Sequence, residues 1–129
     1  MKKLTEITKD TEKAKEFFEH KLAFTLGPVE LHRMSETEGN RIQIIDVRNS
    51  VDYHKGHIPE AISIQSSNLE YSLENLSRDK INIVYCYDQQ CHLAARAAKM
   101  LAEEQFPVME LEGGFEAWKH KDYDIVVSG

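Results

Sequence analysis

Two thiols lie five positions apart in a chain that has no others: Cys86 and Cys91, in the stretch TyrCysTyrAspGlnGlnCysHisLeu at 85–93. Cys86 closes the apolar run IleAsnIleValTyr at 81–85, and the alanine-rich LeuAlaAlaArgAlaAlaLysMetLeuAla follows the polar residues. That order predicts a buried strand, a short loop and a helix, with Cys86 at the carboxyl end of the strand and a helix N-terminus beyond it. The positive end of a helix and its unpaired amides favour the anion, so the expectation is a thiol of lowered pKa, held as a nucleophilic thiolate. This is the position of a reactive cysteine rather than of a structural one.

Other uses of these side chains are weaker. Cys86, Cys91 and His92 are ligand types for zinc, but a structural zinc takes four ligands and no second cysteine pair exists. No metal is expected. Two cysteines cannot staple a fold of 129 residues, so a reducing compartment follows. A formal charge of -6 argues against binding nucleic acid or an anionic membrane surface. The N-terminus has no apolar run of signal-peptide length and no stretch approaches a membrane span, which predicts a cytoplasmic protein.

The elements that must position the thiols follow from periodicity and punctuation. Asp10 or Thr11 caps a helix in which Ala14, Phe17, Phe18 and Leu22 form an amphipathic stripe, expected to pack on the chain's own domain. Gly27 and Pro28 break it, and a second short helix starts with Pro28 in its first turn. Residues 41–46 read as a strand, 49–55 as a capped helical turn stopped by Gly56, 61–64 as a short strand and 68–76 as helical. The central strand is 81–85, its helix runs to about Glu104, 108–111 is a strand, and Gly113 and Gly114 turn into a last helix carrying Trp118. Short apolar strands alternating with helices predict an α/β fold with a parallel sheet covered on both faces. Its active crevice lies at the carboxyl ends of the strands, where Asp46, Cys86 and the glycine pair all fall. Cys86 is therefore expected at a crevice and not in the core, and His54 and His57 as a surface turn pair.

Four segments in register carry a family likeness: IleAspValArg at 45–48, TyrHisLysGlyHisIleProGluAla at 53–61, ValTyrCys at 84–86 and LeuGluGlyGlyPheGluAlaTrp at 111–118. Together they resemble the rhodanese-like sulfurtransferase domain. The likeness spans roughly 26–123, which divides the chain into an N-terminal helical extension, 1–25, and a rhodanese-like domain, 26–129. It implies a three-layer α/β domain with about five parallel strands. It further implies that Cys86 carries sulfur as a persulfide, that residues 87–92 form an amide cradle, and that Asp46 and Arg48 brace the neighbouring loops.

On that basis the expected function is sulfur transfer from a small-molecule or protein persulfide donor to a thiol acceptor, without a cofactor, by a monomer or homodimer. The loop Tyr87, Asp88, Gln89, Gln90, Cys91, His92 lacks the glycine and the cation many family members carry there. Asp88 would repel dianionic thiosulfate, with His92 the one nearby cation. Cys91 can attack the persulfide or close a disulfide with Cys86. A phosphatase of this fold needs an arginine six residues after the cysteine, where this chain has His92. The remaining alternative is a non-catalytic or redox-sensing binding module built on the Cys86 and Cys91 pair.

Overall fold

The computed structural model describes residues 4–128. Five strands form one sheet in the order β1-β5-β4-β2-β3, where β1 is Thr25–Leu26, β2 Ile42–Asp46, β3 Ile62–Ser63, β4 Ile81–Tyr85 and β5 Val108–Leu111. Every pairing is parallel, with Asp46 beside Tyr85 and Val84 beside Glu110 in register. The helices are α1 Leu4–Ile7, α2 Thr11–Phe24, α3 Pro28–Thr37, α4 Ser50–Lys55, α5 Leu93–Glu103 and α6 Gly114–His120. Among the described residues there are also three short 3-10 turns, Gly39–Arg41, Ser66–Tyr71 and Leu73–Asn75, and the last two occupy the segment expected to be helical.

Successive side chains of a strand point to opposite faces of the sheet, and two cores result. Ile42, Ile44, Ile83 and Tyr85 share one face with Leu31, Phe115 and Trp118. Ile45, Val47, Val84 and Cys86 share the other with Ala94, Ala97, Leu101 and Phe106. The small alanines of α5 let that helix sit close on β4, and the β-branched runs of β2 and β4 fill the sheet centre. Tyr85 and Cys86, adjacent in sequence, therefore serve opposite layers.

Caps place the helices as the sequence suggests. Asp10 accepts from the Lys13 amide at 3.1 Å to start α2, and Asn49 accepts from the Val51 amide at 2.7 Å to start α4. The stripe on α2 departs from expectation. Phe17, Phe18 and Leu22 are 60%, 56% and 80% exposed, and no described residue of α2 is buried. The helix instead reaches the sheet through its C-terminal turn, where Lys21 Nζ lies 2.7 Å from Glu112 Oε1. Its end runs directly into β1, whose pairing with β5 carries the sheet across the 25/26 boundary. Among the described residues no helix is long and apolar enough to cross a membrane.

Candidate active site

Cys86 stands at the carboxyl end of β4, the middle strand of the sheet, one residue past its last ladder position. Three neighbouring segments hold it there. Behind it, α6 begins so close to the loop that its first amides replace strand partners: Phe115 N–H donates to Cys86 O at 2.9 Å and Glu116 N–H to Tyr87 O at 3.0 Å. That approach requires glycine. Gly114 adopts φ +61°, and a Cβ there would lie 2.6 Å from Cys86 O and 2.9 Å from Asp88 N.

Beneath the site, Asp46 and Arg48 form a buried pair, 0% and 4% exposed. Arg48 Nε lies 3.0 Å from Asp46 Oδ1, and Nη2 lies 2.7 Å from Oδ2. Nη2 also donates to Gly56 O at 2.6 Å, and the guanidinium carbon sits 4.1 Å from the centre of the Phe115 ring. Burial works to lower the Arg48 pKa, but the hydrogen bonds and charge of Asp46 outweigh it and the net shift is upward. Tyr85 joins the cluster from β4, donating to Asp46 Oδ2 at 2.7 Å while its oxygen accepts from Ile58 N–H at 3.1 Å. Tyr87 reaches over to α4, donating to Asp52 Oδ2 at 2.6 Å. Asp46 and Arg48 are thus tied to each other, to the Tyr85 hydroxyl and to Gly56 O. Sequence reasoning singled out the glycine turn but not the two tyrosine hydroxyls, whose partners are 35 and 39 positions away.

The thiol itself differs from expectation in two ways. Cys86 is 2% exposed and belongs to the core under α5, so it is a core position after all. Burial, followed by the interaction with the Cys91 thiol, pushes its pKa up to about 12; the Ala94 and Tyr87 amides pull the other way and win back only part. The resting group is a protonated thiol, donating to Cys91 O at 3.5 Å, and not a thiolate.

The loop also spends two of its amides on itself. Asp88 folds the loop on itself: its side chain accepts from Gln90 N–H at 3.0 Å and its carbonyl from Cys91 N–H at 3.2 Å. The residues acting on the sulfur through backbone amides are Tyr87, at one end of the loop, and Ala94, in the first turn of α5. Tyr87 belongs to the expected cradle of 87–92, and Ala94 lies beyond it.

A cleft of about 210 Å³ opens beside this loop, lined among others by Lys21, Asp88, Cys91, His92, Glu110 and Glu112. Cys91, not Cys86, is the thiol that lines it. His92 is joined there by Lys21, which the N-terminal helix supplies and Glu112 neutralises. Burial and the charge of Glu112 raise the Glu110 pKa, against smaller lowering by Lys21 and His92. Asp88, Glu110 and Glu112 leave the cleft rich in carboxylates.

The two histidines of the 53–61 segment part company. His54 is exposed, with Nδ1 2.9 Å from Ser128 Oγ. His57 is buried rather than on the surface: it stacks on Tyr53 at 3.7 Å, its Nδ1 lies 2.9 Å from Tyr53 O, and its backbone pairs with Val126. Among the described residues no cluster of three or more His, Cys, Asp or Glu is arranged to hold a metal ion.

Known proteins resemble this architecture in both sequence and shape. The thiosulfate sulfurtransferase GlpE of Shewanella oneidensis is 34% identical over 83 residues, 64% of this chain and 80% of that protein. The putative sulfurtransferase YtwF of Bacillus subtilis is 30% identical over 78 residues, 60% of this chain and 74% of that protein. The crystal structure of the BH2092 protein from Bacillus halodurans superposes with a TM-score of 0.83 at 30% identity, covering 92% of this chain and 87% of that one. With the family model for the rhodanese-like domain matching residues 27–121, the chain belongs to the rhodanese-like domain family, among relatives named as sulfurtransferases.

Proposed function

We propose that the chain is a sulfurtransferase that carries sulfane sulfur as a persulfide on Cys86 and passes it to a thiol acceptor. The observation that carries this reading is the place of Cys86: at the end of the central strand, between the Tyr87 and Ala94 amides, in a chain whose family relatives bear sulfurtransferase names. A donor persulfide anion meets the neutral Cys86 thiol. The anion takes the Cys86 proton, the thiolate so formed bonds to the sulfane sulfur, the donor's S–S bond breaks, and the proton leaves with the donor as a thiol. The new charge rests on the outer sulfur, which the two amides favour. No metal or organic group takes part.

The cleft speaks to the donor. Three carboxylates and a neutralised lysine oppose a dianion, so a low-molecular-weight or protein persulfide is the better donor and thiosulfate the poorer one. A second reading, a redox-sensing or binding module, draws on the buried thiol of raised pKa, which is also what an inert cysteine would have.

Intact mass after incubation with thiosulfate or with glutathione persulfide separates the two. A cyanide-removable gain of one sulfur, lost in Cys86→Ser, supports the carrier; no gain from either donor, with the fold intact, supports the module.

A further inference from the structure

The pairing of a buried thiol with a neighbour that faces the cleft has a chemical consequence. Cys86 is 2% exposed and is not among the residues lining the 210 Å³ cleft, whereas Cys91 is half-buried and lines it beside His92. The Cys86 sulfur lies 3.5 Å from the Cys91 carbonyl, five residues along the same loop. Both are free. The loop between them is closed by the two Asp88 hydrogen bonds, which turn residue 91 back over the end of β4.

We infer that Cys91 resolves the persulfide, closing a Cys86–Cys91 disulfide and releasing hydrosulfide, so that the protein can reduce sulfane sulfur as well as carry it. This rests on the reading that Cys86 is the carrier. In the step, the Cys91 sulfur bonds to Cys86 Sγ, the bond between Sγ and the outer sulfur breaks, and the Cys91 proton leaves on the outer sulfur as HS⁻. The sulfane sulfur gains two electrons and the two cysteine sulfurs together lose two, so no outside oxidant is needed. A dithiol in solution then reduces the disulfide and restores both thiols.

Two features favour attack on Sγ over attack on the outer sulfur. Attack on the outer sulfur must expel the Cys86 thiolate, a poor leaving group because burial disfavours its charge, whereas attack on Sγ expels a small anion next to a cleft. Position agrees, since Sγ is the atom that lies 3.5 Å from the backbone carbonyl of Cys91.

A single-turnover experiment tests this. Reduced protein is mixed with one equivalent of glutathione persulfide, sulfide is measured against a Cys86→Ser/Cys91→Ser control, and the chain is weighed without reductant. The wild type should release about one equivalent of sulfide per chain above the control and end two hydrogens lighter. Cys91→Ser should instead gain one cyanide-removable sulfur and release none, and Cys86→Ser should do neither. A wild type that holds a stable added sulfur and releases no sulfide overturns the resolving role while leaving the carrier intact. If Cys91→Ser gains no sulfur, the carrier reading fails, and this inference with it.

Discussion

Replacing Arg48 with methionine tests the bracing network most directly, because the side chain keeps its bulk and loses its charge. Three Arg48–Asp46 contacts between 2.7 and 3.1 Å disappear, as does the 2.6 Å hydrogen bond to Gly56 O. Asp46 retains the Arg48 amide at 2.9 Å and the Tyr85 hydroxyl at 2.7 Å, so its carboxylate is half-solvated by the protein but has no counter-charge. Removing one partner of a buried pair costs roughly 3–5 kcal/mol. An orphaned Gly56 carbonyl adds about 1 kcal/mol. The total, roughly 4–6 kcal/mol, is a large part of the roughly 6–19 kcal/mol that a domain of 129 residues commands. Urea unfolding should show a much lower midpoint at an unchanged slope. Adding Asp46→Asn removes the unpaired charge, and the double variant should regain about half of the loss. A cost below about 1 kcal/mol for Arg48→Met, or a double variant no more stable than the single one, would refute this account of the network.

Gly114→Ala should move the Cys86–Asp88 loop, because its Cβ meets Cys86 O at 2.6 Å in a left-handed conformation. A stability loss of about 1–3 kcal/mol by urea melts and a lower yield of persulfide by mass are expected, and wild-type loading would count against the close approach. The Cys86 thiol, pushed up to about 12, should alkylate more slowly with iodoacetamide at pH 8 than free cysteine does, with Cys91 labelled first by peptide mapping. Because that folded-state pKa lies above the unfolded value of about 8.5, its stabilisation is complete below the unfolded pKa and is lost as pH rises toward about 12. Urea melts from pH 8 to 11 should therefore show the wild type losing more stability than Cys86→Ser. Glu110→Gln takes one carboxylate from the cleft, and the rate of loading from thiosulfate relative to glutathione persulfide should rise several-fold; an unchanged ratio would remove the charge argument.

How much of this was legible beforehand depends on the range of the interactions. The order of strands and helices follows from local periodicity, and Asp10, Asn49 and the two glycines mark ends through hydrogen bonds or backbone angles within a few residues. β1 escaped notice because a two-residue edge strand has no period of its own; its existence depends on β5, more than eighty positions later. The stripe of Phe17, Phe18 and Leu22 is a sound sign of an amphipathic helix, yet periodicity does not say what covers it, and among the described residues nothing buries it. The tyrosine hydroxyls of the bracing network were equally hidden, since a strand tyrosine reads first as an apolar ring.

The sequence by itself determined the α/β class, the family likeness, and the place of Cys86 at the end of a central strand before a helix, because strand period, turn residues and motif spacing are local properties. Tertiary structure alone decided the protonation of that thiol. A helix N-terminus argued for a thiolate, but α5 buries the sulfur, so desolvation outweighs the dipole. It also decided that Cys91 faces the cleft while Cys86 does not, and that a lysine from the N-terminal helix meets Glu112 at the cleft wall. Electrostatic balance depends on distance and burial in three dimensions, and neither is written in the spacing of residues along a chain.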